Sequence, residues 1–197
     1  IPAYLCYGMS KLTEMTIPKN VVSIGASALY CSGLTKVNYL GTVDKWVEFN
    51  FNYSNSNPTY YAKDLYINNE LLTDVKITTA DSIKNYAFYN CQSIKSIEIG
   101  KSITSIGSSA FIYCSGLTSV TIPNSVTSIG EDAFYGCSEL TSVTIGESVT
   151  FIGLYAFHGC DKLRKVTAYP TTVPNVYENS FAHYNAALYV PCDVYDD

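Results

Sequence analysis

The sequence predicts a repeat solenoid: one right-handed stack of short coils with a parallel β-sheet along one side, mostly strand and loop, with little helix. Two observations carry this. Laid on itself at an offset of 23, the chain aligns Ile83, Ile106, Ile129 and Ile152, and with them Phe88, Phe111, Phe134 and Phe157, then Cys91, Cys114, Cys137 and Cys160. Ile94, Leu117, Leu140 and Leu163 keep the same register, as do Ile97, Val120, Val143 and Val166. A fixed period of about 20 to 50 residues marks a stacked array whose units bury their apolar faces only against their neighbours. The second observation is the pattern inside a unit. Over Val143, Thr144 and Ile145 apolar and polar residues alternate, which sends two side chains inward and one outward on a strand.

Each element of the coil follows. After the strand comes Gly146, or Pro18 and Pro123 in other copies, and such residues break a ladder and turn the chain. A second short apolar stretch, Val149 to Ile152, runs back along the other side, and Ala156, Phe157 and Cys160 close the coil with the ring filling the space between. Ile1 to Ser23 is a partial unit with Met9 at the cysteine place and Cys6 at the phenylalanine place; Ile24 to Leu40 follows, one residue short near Cys31. A degenerate terminal unit occupies 176–197, with Phe181 retained and Tyr184 at the cysteine place. Roughly seven units, spaced about 4.8 Å apart, make residues 1–197 one elongated domain.

The segment 41–77 breaks the period. Thr42 is a plausible N-cap for a short helix over 42–48 whose Trp46 lies over the stack, and Asn50 to Pro58 reads as loop. Leu65–Ile67 and Glu70–Leu72 flank Asn68-Asn69, residues that tolerate the positive φ angles of a tight hairpin, and Val75–Ile77 resumes the array.

Composition excludes several functions. The chain is 47% hydrophobic but only 15% charged, against roughly 25% in ordinary globular domains, so a disordered acidic tail or a coiled coil is ruled out. A net charge of -5 and a lone arginine, Arg164, leave no basic patch for nucleic acid. No apolar run reaches the ~20 residues that span a bilayer. The Ile1-Pro2 start, with neither an initiator Met nor a leader, is what an excerpt or a processed form would show.

The unit I-G-x-x-A-F-x-x-C-x-x-L-T-x-V-x-I-P, as in Ile106 to Pro123, resembles the BspA-type leucine-rich repeat, whose strand pattern L-x-x-L-x-L is also met by Leu140, Val143 and Ile145. The insertion resembles a variant unit of that family through Gly41-Thr-Val-Asp-Lys-Trp46, Asn57-Pro58 and Leu65-Tyr-Ile-Asn-Asn-Glu-Leu71, with Asn69 where glycine is usual. Leu188-Tyr-Val-Pro191 resembles its closing segment. The resemblance implies a surface-exposed or secreted protein that works by recognition rather than catalysis, with host matrix proteins or other microbes as partners. It carries no particular partner.

Chemistry is sparse. Four of the seven cysteines recur at the repeat interval and no C-x-x-C pair occurs, so buried free thiols are favoured over a disulfide or a metal site. Of the two histidines, His158 takes a place filled by Tyr89 and Tyr135 in sister units, and no G-x-S-x-G elbow accompanies the serines. Asp193, Asp196 and Asp197 form a terminal charge cluster rather than a calcium loop. No catalytic residue, metal or cofactor is expected, and the chain reads as a non-enzyme.

Two surfaces remain. The 18 tyrosines, among them Tyr30, Tyr60, Tyr61, Tyr86, Tyr89, Tyr113, Tyr135 and Tyr155, supply rigid amphipathic rings suited to recognition, including stacking on sugars. The strand face has outward columns Glu14, Lys36, Ser96, Ser119, Ser142, Lys165 and Thr16, Asn38, Glu98, Thr121, Thr144, Thr167, a flat band of hydroxyls between charged ends. Such a band is also ordinary for a solvated β face. The expected partner site is Ser119, Thr121, Ser142 and Thr144 with a basic margin at Arg164 and Lys165, for an extracellular or cell-surface adhesion module that binds a host or microbial protein. The alternatives are a structural spacer that projects another domain and a carbohydrate-binding module.

Overall fold

The computed structural model describes residues 1–177 and 179–181, and the backbone of 187–189. Within these the chain is a parallel-strand solenoid of about seven turns with little helix, as the repeat predicts. The long strands Ser119–Ile122, Ser142–Ile145, Lys165–Ala168 and Ala187–Tyr189 form one parallel ladder, in which Val120, Val143 and Val166 are register partners. Asp74–Ile77 pairs with Ser96–Ile99, and Glu14–Ile17 with Lys36–Tyr39, in the same sense. A second parallel ribbon, not expected from the sequence, joins the two-residue strands Ser82–Ile83, Ser105–Ile106, Ser128–Ile129, Phe151–Ile152 and Asn175–Val176 on the return side. In the first four pairs the isoleucine is buried and the neighbouring coil supplies the partners, so two residues suffice; in the last, Val176 is exposed.

The core is a set of columns. Phe88, Phe111, Phe134 and Phe157 are wholly buried and stack at 5.2, 5.1 and 5.2 Å between centroids, with interplanar angles of 16°, 6° and 3°. Beside them the alanine column Ala87, Ala110, Ala133 and Ala156 is fully buried. At this corner each coil donates its backbone N–H groups to the next: Phe88 N to Ala110 O at 2.7 Å, Phe111 N to Ala133 O and Phe134 N to Ala156 O at 2.8 Å. The coils approach so closely that a Cβ on Gly130 would sit 2.5 Å from Ser108 N, and one on Gly153 2.5 Å from Glu131 N, which explains the glycine at this place in the regular units. Among the described residues the cysteines do not bridge, and Cys192 lies outside them. Cys114, Cys137 and Cys160 each donate a thiol to the phenylalanine carbonyl of the preceding coil, at 3.2, 3.2 and 3.3 Å. Burial raises the Cys91 and Cys160 thiols to about 12, so these thiols behave as small buried hydrophobes with a weak donor.

The insertion solves a pairing problem. The coil holding Ala87 exposes the corner carbonyls of Tyr86, Ala87 and Tyr89 toward a neighbour that lacks the regular corner, and an unpaired buried carbonyl is costly. Three side chains stand in for the missing N–H groups. Trp46 Nε1 donates to Ala87 O at 2.7 Å, Asn57 Nδ2 to Tyr86 O at 2.7 Å and Ala87 O at 3.0 Å, and Thr59 Oγ1 to Tyr89 O at 2.6 Å. Trp46 rides on the helix Val43–Val47, capped by Thr42 Oγ1 as the sequence predicts, and packs among Tyr39, Phe49 and Phe51. The predicted loop Asn50 to Pro58 is partly a 3-10 turn, Ser54–Ser56, followed by the short helix Thr59–Ala62, and Ser56, Asn57 and Thr59 are buried. The Asn68-Asn69 hairpin forms with φ of 51° and 71°, pairing Leu65–Ile67 with Glu70–Leu71. Asp44 ties the helix to the next coil by accepting from Thr78 N, Thr79 N and Ala80 N at 2.8, 2.7 and 3.1 Å.

Two outcomes test this packing. Phe134→Ala is expected to destabilise the fold by about 3 to 5 kcal/mol, the usual range for emptying a buried aromatic site; a negligible loss in denaturant titration would place the phenylalanine column outside the core. Burial alone would raise the Asp44 carboxyl, but the N–H groups of Thr79, Thr78 and Ala80 and the Thr78 hydroxyl outweigh it and lower it from 3.8 to about 2. A depressed folded value means that ionised Asp44 stabilises the fold fully above the unfolded value and that this contribution is lost as the pH falls through about 2. Asp44→Asn should therefore lower the melting temperature at neutral pH, and the gap to the wild type should narrow on acidification; a gap that stays constant would contradict the clamp.

Candidate functional site

The strand face is built by alternation. In Ser119–Ile122 the burial pattern runs exposed, buried, exposed, buried, so Val120 and Ile122 enter the core and Ser119 and Thr121 face out. The ladder aligns Ser119 with Ser142 and Lys165, and Thr121 with Thr144 and Thr167. Ser119, Thr121, Ser142 and Thr144 thus form one patch across two adjacent strands, with Ser142 and Thr144 half-buried. Lys165 continues the column and is exposed. Arg164 lies one residue before its strand and is directed to its own turn, where Nη1 donates to Asp161 O at 2.9 Å and Leu163 O at 3.0 Å. The margin on the face itself is therefore Lys165.

Toward the other end the outward columns are charged and paired. Lys76 meets Glu98 at 3.0 Å across the ladder, Lys36 meets Glu14 at 3.8 Å, and Lys36 also lies 5.0 Å above the Tyr66 ring. Asp74 accepts from the hydroxyls of Ser96 and Thr73, which lowers its carboxyl. The face is not continuous. Asn38, expected to point outward, is buried at 3% exposure because the hairpin folds over it: its Nδ2 donates to Asn69 Oδ1 and its Oδ1 accepts from Asn69 N, both at 2.8 Å. Beyond this cover a notch of about 440 Å³ opens between hairpin and helix, lined by Val43, Ile67, Leu71, Leu72, Glu70 and Asp74 among others.

The tyrosines that the sequence offers as recognition rings form a second surface, a connected ridge. Tyr7 stacks on Tyr30 at 5.3 Å, Tyr30 meets Tyr61 at 5.0 Å, Tyr60 stacks on Tyr89 at 5.5 Å, and the contacts continue through Tyr113 and Tyr135 to His158. His158 stacks on Tyr135 at 5.2 Å, in keeping with its place in a tyrosine column. Among the described residues no group of three or more His, Cys, Asp or Glu converges on a metal position, and no helix is long and apolar enough to cross a membrane. Asp193, Asp196, Asp197 and His183 lie outside the described residues, as do Tyr184 and Pro191.

Comparison with known proteins bears on this architecture. The family model for the BspA type leucine rich repeat region matches residues 1–79 and 59–187, with 6 copies. No curated protein matches the chain. Among solved structures, a leucine-rich repeat protein from Bacteroides ovatus superimposes with a TM-score of 0.59 at 22% identity, over 95% of this chain and 44% of that one. A leucine rich cell surface protein from Faecalibacterium prausnitzii gives 0.50 at 19% identity, over 85% of this chain and 62% of that one. The T. pallidum leucine rich repeat protein gives 0.50 at 22% identity, over 96% and 72%. The chain therefore spans less than two thirds of the first two of these structures. At such identities the structures speak for the fold alone, but the family model covers nearly the whole sequence, and the chain belongs to the BspA-type leucine-rich repeat family.

Proposed function

We propose that the chain is a non-enzymatic recognition module of a cell-surface or secreted protein, and that it adheres by docking an extended segment of a host matrix or microbial surface protein across its strand face. The observation that carries this reading is the in-register patch of Ser119, Thr121, Ser142 and Thr144, flanked by Lys165 on one side and the Lys76–Glu98 pair on the other. Burial dictates the alternate residues Val120 and Val143 but makes no such demand on the outward ones. Small hydroxyls leave the ladder flat and offer donors and acceptors at each strand step, which suits an extended chain laid across several coils. The repeat family supports a binding or structural role in general, and the Faecalibacterium relative is described as a leucine rich cell surface protein.

The test is binding to immobilised host matrix proteins and to intact bacterial cells. Ser142→Arg combined with Thr121→Arg is expected to weaken that binding by about tenfold or more without lowering the melting temperature, since neither side chain is in the core. Lys165→Glu should act chiefly at low salt, through the association rate. Absence of any saturable partner would favour a spacer that projects another domain, and binding that survives all three substitutions would exclude the strand face.

A further inference from the structure

The notch of about 440 Å³ between the hairpin and the insertion helix combines aliphatic walls with an acidic rim. Leu72 is buried, Val43 and Ile67 are half-buried against the core, and Leu71 is 41% exposed. The charged side chains that line it are two carboxylates, Glu70 and Asp74, both exposed. Both walls are held in place. On the hairpin side Asn69 is locked to Asn38, and Asn68 N donates to Tyr39 O at 3.0 Å. On the helix side Asp44 accepts from the backbone of Thr78, Thr79 and Ala80. A cleft built in advance spares a ligand the cost of ordering it.

The charges around the notch are unbalanced. Glu14, Glu48 and Glu98, on the adjoining strands and helix, each meet a lysine, at 3.8, 2.8 and 3.0 Å. Among the described residues Glu70 and Asp74 meet none, because Lys36, Lys45 and Lys76 are the lysines engaged in those pairs. Lys76, two residues beyond Asp74 on the same strand, is turned to Glu98 in the next coil. The hydroxyls of Ser96 and Thr73 lower the Asp74 carboxyl and so keep it ionised. The two carboxylates therefore stand beside exposed aliphatic surface with no counter-charge, on a chain whose net charge is -5.

This chemistry selects an occupant. A purely apolar side chain would strip water from the carboxylates and give nothing back. A bound metal ion needs more ligands than two, and no group of three or more His, Cys, Asp or Glu converges among the described residues. A long side chain with an aliphatic stem and a cationic head satisfies both parts of the notch. Arginine fits best, since its planar guanidinium carries five donors and can meet two carboxylates at once. The backbone beside the notch is also available. Glu70–Leu71 and Asp74–Ile77 are each the last strand of their sheets, so the ladder is interrupted here and an extended segment can lie along a strand edge. A second copy of this chain does not supply the arginine, because Arg164 is its only one and is bonded to the carbonyls of its own turn.

We infer that the notch between the Asn68-Asn69 hairpin and the Val43–Val47 helix is a docking site for an arginine side chain on an extended segment of a partner protein. Glu70 and Asp74 receive the guanidinium, and Val43 and Leu71 receive the stem. The site is separate from the hydroxyl patch of Ser119, Thr121, Ser142 and Thr144 and does not depend on it.

The test is an NMR titration of the full chain with the blocked pentapeptide acetyl-Thr-Val-Arg-Val-Thr-amide. The same peptide with citrulline in place of arginine removes the charge and keeps the shape, and agmatine supplies the guanidinium without a peptide. The arginine peptide is expected to shift the amides of Val43, Ile67, Leu71, Leu72 and Thr73 saturably, and the citrulline peptide and agmatine to bind at least about tenfold more weakly. Glu70→Gln with Asp74→Asn should weaken the arginine peptide by about tenfold while the melting temperature holds, since both side chains are exposed. Leu71→Ser should also weaken it, whereas Glu131→Gln with Glu147→Gln, an equal loss of charge elsewhere, should leave it unchanged. The inference is overturned if these amides do not shift saturably or if the citrulline peptide or agmatine binds as well as the arginine peptide. It is equally overturned if the Glu70 and Asp74 variant keeps full affinity, or if the Glu131 and Glu147 variant loses as much.

Discussion

Every coil depends on one constraint: the backbone at the aromatic corner is buried, and its carbonyls can be satisfied only by donors from the adjacent coil. Phe88 N to Ala110 O, Phe111 N to Ala133 O and Phe134 N to Ala156 O meet that need at one spacing. The bonds also fix the coil-to-coil register, which is why the phenylalanine rings stack nearly parallel and the column beside them is small, alanine at Ala87, Ala110, Ala133 and Ala156 and serine at Ser180. A larger residue there would push apart coils whose backbones already nearly touch at Gly130 and Gly153. Hydrophobic burial drives the association, while hydrogen-bond pairing sets its geometry.

The insertion shows the same constraint met by other means. Its segment cannot reproduce the corner, so Trp46, Asn57 and Thr59 reach the carbonyls of the following coil with side-chain donors. The neighbouring change at position 84 has the same origin. Lys84 stands where other units carry glycine, and its N–H donates to Val47 O at the end of the insertion helix rather than lying against a regular coil. The irregular stretch is therefore a joint that passes the register on to the coils beyond it.

The sequence made the columns legible because burial acts on each repeat alike. Phenylalanine, cysteine and valine recur at the same interval, and the strand pattern, the Thr42 cap and the Asn68-Asn69 turn all lie where local patterning puts them. What escaped was set by contacts between non-equivalent elements. Asn38 has the alternation of an outward residue, but the hairpin covers it. Asn57 and Thr59 look like loop residues because their partners are carbonyls about 30 residues away. Arg164 adds a charge to the composition without adding one to the face, since its guanidinium turns to its own loop. The tyrosines were legible as candidate recognition rings, but their joining into one ridge was not, because the rings shift place from unit to unit, Tyr89 and Tyr135 following the phenylalanine directly and Tyr113 one residue later. The Trp46 and Asn57-Pro58 motifs were the available signal for the insertion, and their meaning lies in the acceptors they reach.

A core fixed in this way frees the outer columns to vary, and repeat proteins can change their recognition surfaces without altering the stack. The strand face and the aromatic ridge are both products of that separation. It rests on the corner bonds, so native-state amide exchange followed by NMR is the most direct measurement. The account predicts that the Phe88, Phe111 and Phe134 amides are as protected as Val120 and Val143 in the strands, exchanging only when the stack as a whole opens. Exchange of these corner amides at the rate of unpaired surface groups, with the strand amides still protected, would contradict it.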